Sequence, residues 1–380
     1  MTTKITRWGA LVLALSAQGC GGAPAAAPAR AETAPSPSAA REDRLAAILD
    51  ELTRPPFGTG AALTFSIASE QRTLVRGTLR EGGPAVLPDT PFNLASVSKL
   101  VTGAIVLSLV EQGRIELDAH LSRYLPGVTL LAPDRATPVQ VTIRELLAHR
   151  AGLPHQPGEL DPSSFGSAWT DPQLLTRMAS GLSVRLVDHP GAYHYSNMGY
   201  ALLAALVEVV TGQSFADAAR SHLDELGMQG ATYWGPDVEA RGAHGRITDA
   251  GGVHFNEPSW YGSRYALPFT GLWASMPDLR RFGRALIGAS RTPESALYPM
   301  VRAIDSDAEA LVAVRRTRLG APSLEHDGSG PGFLAWVIAI PSRDLVLALA
   351  CNGGGESAAE GRRFFEITDA LLEVLAEQQP

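Results

Sequence analysis

Ser96 and Lys99, three residues apart, begin a stretch that could make a nucleophile. A serine hydroxyl attacks a carbonyl only when a neighbour takes its proton. An amine can be that neighbour when burial disfavours its charged form. Composition singles out Lys99. Of 32 basic residues only Lys4 and Lys99 are lysine, and a guanidinium does not give up its proton at working pH. At the head of a helix the two side chains lie one turn apart on one face, where backbone N–H groups and the helix field favour developing negative charge.

Two further groups carry polar chemistry. Tyr195 and Asn197, in Tyr193-His194-Tyr195-Ser196-Asn197, lie in a loop entering a helix. In extended chain both point one way. A phenol acts as a base only if a cation lowers its pKa, and Lys99 is the lysine at hand. Asn197 offers an acceptor to an ammonium and a donor to a substrate carbonyl. The third group, His326-Asp327-Gly328-Ser329, opens the C-terminal strands. Gly328 permits close approach to the backbone, and the Ser329 N–H could pair with that of Ser96 at an oxyanion. Taken singly, each has an ordinary explanation: a surface lysine, a helix cap with a packed aromatic, a histidine at a strand edge.

The elements that must position these groups follow from periodicity. Arg41–Leu52 reads as an amphipathic helix with Leu45, Ile48, Leu49 and Leu52 on one face. Strand-like runs follow at 61–68 and 73–79. A helix over 97–111, apolar nearly all round, should be buried and should stop at Gly113. The middle, about 115–290, alternates helical patterns (201–210, 277–287) with Pro/Gly loops. Strands return at 311–316, 333–340 and 345–350, and a helix over 362–377 closes the chain. Strands at both ends with helices between predict an α+β fold, one sheet built from the two termini beside a helical insert.

In this order the three groups resemble the penicillin-recognising serine hydrolases, in the branch of class C β-lactamases, DD-peptidases and related esterases. Phe92 to Lys99 matches the nucleophile pattern. Tyr195-Ser196-Asn197 stands at the Tyr-x-Asn element, and His326-Asp327-Gly328 where the family has Lys-Thr-Gly or His-x-Gly. Leu146 to Pro154, Asn197-Met198-Gly199-Tyr200 and Pro331-Gly332-Phe333 also look like it. The resemblance spans roughly 45–378. It implies a β-lactamase/transpeptidase-like sheet flanked by helices, and a Ser96 acyl-enzyme released by water. It implies coupled base and acid roles for Lys99 and Tyr195, and Asn197 positioning both the substrate amide and Lys99. The Ser96 and Ser329 N–H groups would form the oxyanion hole, with His326 and Gly328 on the facing wall. No cofactor is implied. His149, His155, His189 and His194 fit no single helical face, so their spacing gives no metal set.

Two departures bear on substrate. Histidine replaces the lysine that helps hold a carboxylate, and Asp327 replaces a hydroxyl residue. Facing the site, Asp327 would repel a substrate carboxylate by about 3 kcal/mol at ~5 Å; on the other face of its strand it would not. Weak or no β-lactamase activity is expected. A peptidase or amide hydrolase is placed slightly ahead of an esterase, and a non-catalytic wall-peptide sensor is the reading of another class. Cys351 should be a buried thiol. Trp273 divides evenly between pocket and core, and Tyr261 and Tyr265 are candidates for a cleft rim.

Residues 1–20 read as a bacterial signal peptide: Lys4 and Arg7, an apolar run from Trp8 to Leu15, then Ala17 and Gly19 before Cys20. The placement of Cys20 resembles a lipobox, which implies lipidation. Residues 21–41, rich in Ala, Pro, Gly and Ser, read as a disordered tether reaching on the order of 60 Å, and 42–380 as the folded domain. An exported, membrane-tethered protein of the periplasm is expected, with peptidoglycan as a partner within reach. Net charge −7 without a basic run argues against nucleic acid, and the body has no apolar stretch long enough to span a membrane.

Overall fold

In a computed structural model of the chain, the described residues are 37–134, 137–156, 180–233, 235–249, 252–256, 265–302, 311–355 and 357–377. The expected leader, Cys20 and Tyr261 lie outside them. Helix α1 spans Pro37–Asp50, so residues 37–41 of the assigned tether are its first turn, a correction. Alanine is the best helix former, and the turn is docked: Arg41 is ion-paired to Glu70 and lies over the Phe65 ring.

The main sheet is six-stranded, antiparallel throughout, in the order β10-β11-β12-β13-β1-β2. Its strands are β1 (Gly60–Ile67) and β2 (Glu70–Gly77) from the N-terminal end. The C-terminal end supplies β10 (Val314–Arg318), β11 (Ala321–Gly330), β12 (Phe333–Ile340) and β13 (Leu345–Cys351). The two chain ends build one sheet, as expected. Alternation gives it two different faces. Leu63, Phe65, Trp336, Ile338, Leu347 and Leu349 face α1 and the last helix, α7 (Ala358–Ala376). Ala335, Val337, Ala339, Val346, Ala348 and Ala350 join the other core. These smaller side chains let helix α6 (Met276–Ser290) lie close; a Cβ at Gly283 would stand 2.5 Å from Val346.

Helix α2 (Ser98–Glu111) is buried from Ser98 to Leu109. It packs against α4 (Asn197–Thr211), α5 (Phe215–Glu225) and the helical turn Leu267–Thr270. Gly113 ends it at φ +69. The insert is not purely helical, as expected, but carries short strands: β4 (Val128–Leu131), β5 (Pro138–Val139) and β6 (Leu182–Arg185) form a sheet, and β7 (Gly245–Asp249) and β8 (Gly252–Asn256) a hairpin. Strands this short give too few alternations to register as a period-2 pattern. β3 (Phe92–Asn93) pairs β9 (Trp273–Ala274), and α3 (Ile143–Leu147) starts on a Thr142–Glu145 capping box.

Strand β11 is not among the runs read from periodicity, although the sequence places 326–329 at the start of the C-terminal strands. Its tail Glu325-His326-Asp327-Gly328-Ser329-Gly330 is polar and glycine-rich, a composition depleted in strands. Pairing with β12 along His326–Gly330 overrides that preference.

Candidate active site

A 3-10 turn, Ala95–Val97, carries Ser96 into α2. Asn93 shapes it: its Oδ1 accepts the Ala95 N–H at 2.9 Å and its Nδ2 donates to Thr270 O at 2.8 Å. Ala95 takes φ +44 there, a left-handed conformation costing about 1 kcal/mol in a non-glycine residue. Ser98 Oγ accepts the Leu272 N–H at 3.1 Å, and Thr102 Oγ1 donates to Pro268 O at 2.5 Å. These bonds lock the start of α2 against 268–272.

On that turn Ser96 Oγ lies 3.1 Å from Lys99 Nζ and accepts the Tyr195 O–H at 2.8 Å. Lys99 is fully buried and also donates to Phe269 O at 3.2 Å. The three residues singled out for catalysis therefore meet at one hydroxyl. Asn197 is brought to the same cleft, but among the described residues Lys99 hydrogen-bonds Ser96 and Phe269 rather than Asn197 as expected. It is the first residue of α4, and its buried Oδ1 has no partner among the described residues.

The facing wall is β11. Strand β10 pairs with β11 only as far as Glu325, which leaves the His326–Gly330 edge unpaired by β10. A Cβ at Gly328 would stand 2.3 Å from Leu94 O and 3.0 Å from Ser96 N, so only glycine lets the strand press against the Ser96 turn. Ser329 turns its Oγ to Gly355 O, 3.1 Å away. Between turn and strand lies a cleft of about 580 Å³ lined by Ser96, Tyr195, Asn197, Phe269, His326 and Ser329, with His149, Tyr193 and Arg316 further along.

A Beta-lactamase family model matches residues 25–371. The chain belongs to the Beta-lactamase family. Penicillin-binding protein 4 of Amycolatopsis lactamdurans is 28% identical over 84% of this chain and 85% of that protein. Esterase EstB of Burkholderia gladioli is 34% identical over 40% of each. Among solved structures, the D-amino acid amidase of Ochrobactrum anthropi SV3 superposes with TM-score 0.70 at 21% identity, over 88% of this chain and 98% of that one. The fold is thus the one this family of serine hydrolases shares.

Within this Beta-lactamase domain, burial holds the Lys99 amine well below the usual lysine range, against the opposing charge of Asp327. Rings of Tyr195, Phe269 and Tyr200 stand 4.8, 5.4 and 5.6 Å from Nζ. Such contacts favour an ammonium by about 0.5–2 kcal/mol each and so oppose the lowering that burial imposes on the amine. The Tyr195 phenol is not lowered as expected, and Lys99 is not among the groups that shift it. Burial instead raises that phenol, only partly offset by its bond to Ser96. His326 is lowered to about 4, by burial first and by Lys99 second, so the residue at the family's lysine position is uncharged at neutral pH. Its Nδ1 lies 2.7 Å from Asp327 O, which requires the proton on Nδ1 and leaves Nε2 an acceptor.

Asp327 pairs opposite Trp336, and His326 opposite Val337, so the two side chains leave opposite faces of β11. The Asp327 carboxylate is taken up by Arg316, whose Nη2 lies 3.0 Å from Oδ1 while Nη1 lies 3.3 Å from Glu325 Oε2. The guanidinium lies over the Trp336 and Phe365 rings. The repulsion expected of Asp327 is accordingly compensated. Sequence reasoning missed Arg316, His149 and Asn93; for His149 the Leu146–Pro154 stretch was the available signal. Trp273 is a core residue, edge-to-face with Phe333. Tyr265 is buried against Phe269 rather than on a rim. Cys351 is a buried free thiol pushed up to about 12 by burial.

Proposed function

We propose that the chain is an acyl-transferring hydrolase whose nucleophile is Ser96, acting on esters and amides that lack a free carboxylate. The convergence of the buried Lys99 amine and the Tyr195 phenol on Ser96 Oγ supports the chemistry. As Oγ attacks the carbonyl, its proton passes to Lys99 Nζ. The oxyanion is received between the Ser96 and Ser329 N–H groups. The C–O or C–N bond then breaks, and the leaving group takes a proton through the coupled Lys99–Tyr195 pair. Water, activated by the same pair, cleaves the acyl-enzyme.

The substrate class rests on the charges of the cleft. His326 is uncharged at neutral pH, burial disfavours an ammonium at Lys99, and Arg316 is held by Glu325 and Asp327, so the described cleft offers a substrate carboxylate little free positive charge. A DD-carboxypeptidase remains the second reading. It is favoured by the penicillin-binding relative and by Arg316, part-exposed at the cleft, which could exchange Asp327 for a substrate carboxylate. Cys20 lipidation, export and peptidoglycan as a partner belong to the same proposal, on sequence grounds.

One experiment separates these readings. The full mature chain is assayed against p-nitrophenyl butyrate and against one D-Ala-D-Ala peptide bearing either a free or an amidated C-terminus, with Ser96→Ala alongside. The proposal expects turnover of the ester and the amidated peptide, abolished by Ser96→Ala. Preference for the free carboxylate supports the carboxypeptidase. Peptide binding without turnover of any compound would leave the sensor.

A further inference from the structure

His149 follows α3 and takes a left-handed backbone, φ +56, which costs a non-glycine residue about 1 kcal/mol. Its contacts explain why that conformation is held. Nδ1 accepts the Ser196 N–H at 3.0 Å, so the neutral ring carries its proton on Nε2, which has no partner among the described residues. Its carbonyl oxygen accepts the His194 N–H at 2.7 Å. The two bonds fall on the residues either side of Tyr195. Between them the imidazole stacks on the Tyr195 ring, centroids 4.3 Å apart at 29°. It also lies 5.1 Å from the Tyr200 ring and 6.1 Å from that of Tyr193.

We propose that His149 is a positioning residue for Tyr195, clamping the backbone on both sides of the phenol and bracing its ring so that Oη stays in reach of Ser96 Oγ. The inference rests on the reading of Ser96 and Tyr195 given above. The need for a brace is plain. Tyr195 sits on a loop whose Tyr193 is 61% exposed, yet Oη must hold 2.8 Å to Ser96 Oγ. A displacement near 1 Å costs about a hundredfold in rate. The device works while Nδ1 is an acceptor. Burial is the main force that lowers the ring well below the usual histidine range, so Nδ1 is free to accept at neutral pH.

The test uses two variants of the full chain. His149→Phe keeps a ring and removes the acceptor; His149→Asn keeps an acceptor and tolerates the left-handed backbone but removes the ring. With p-nitrophenyl butyrate, each should lower kcat by about tenfold or more, leave KM within about twofold, and displace the acid limb of the kcat/KM profile, since Tyr195 and Lys99 titrate together. Ser96→Ala and Tyr195→Phe serve as controls. Unchanged kcat and profile in both His149 variants, with Ser96→Ala inactive, overturn this inference alone. Activity retained by Ser96→Ala overturns the reading beneath it. Losses that merely follow the folded fraction, with the profile unmoved, also overturn the positioning role. If neither variant folds, nitrogen NMR of the unaltered protein decides: the His149 Nε2–H tautomer at neutral pH is expected, and the Nδ1–H tautomer rules out the clamp.

Discussion

Lys99 must be buried and basic at once, and these demands conflict. The folded chain holds a proton at this amine less readily than the unfolded chain, because burial lowers the folded pKa. Stability therefore rises with pH through the interval between the lowered folded value and the unfolded value near 10.4. Lys99→Met should abolish turnover and raise stability at neutral pH by about 1 kcal/mol or more, read as a higher denaturant midpoint with unchanged m. The stability gain should shrink toward pH 10. The wild-type kcat/KM should fall on the acid side as the amine gains its proton.

Asp327 yields a second prediction at this scale. Asp327→Asn removes the charge that engages Arg316, and acylation of Ser96 by a penicillin, followed by intact mass, should quicken about tenfold. The Coulomb figure of about 3 kcal/mol at ~5 Å is an upper bound, reduced here by the part-exposure of both partners. Ser96, Lys99 and Tyr195 were legible in the sequence because their chemistry demands those residue types at those spacings. Arg316 was not, since its meaning depends on a strand pairing that brings 316 beside 325 and 327. The same holds for Asn93, which acts through Thr270.

Among the elements, β11 concentrates function and risk. Gly328→Ala would push a methyl into Leu94 O and Ser96 N. It should cost about a hundredfold or more in kcat, the size of a lost oxyanion donor, with a smaller loss in Tm. A control of ordinary size is the Ser357 cap of α7, whose Oγ accepts the Glu360 N–H. Ser357→Ala should cost about 1 kcal/mol in denaturant unfolding and leave kcat unchanged. The long elements were legible: α2, α4, α6, β12 and β13 follow strong apolar periods. Polar β11 and the short strands of the insert were not, because partners distant in sequence define them.

Across the whole molecule, the described fold begins with α1 at Pro37. Among the described residues no single helix is long and apolar enough to cross a membrane, and the lipid anchor proposed at Cys20 has its own test. Cys20→Ala should move the protein from the membrane to the soluble fraction of a fractionated bacterial host, with kcat on p-nitrophenyl butyrate unchanged; retention at the membrane would refute a lipid anchor.

The sheet that unites the chain ends also sets when the fold can close. β1 lies between β2 and β13, with Ala61 opposite Arg76 and Cys351. Until β13 has been synthesised, β1 has one open edge, and of the two helices on the Leu63 and Phe65 face only α1 is present. Helix α7 comes last of all, and Glu377 pairs with Arg44 near the start of α1. Loop closure over so long a separation is entropically late. The nascent chain therefore cannot finish its core while it is being made. Such a delay would suit the export proposed from the sequence, in which an extended strand threads a narrow pore and folds on the far side.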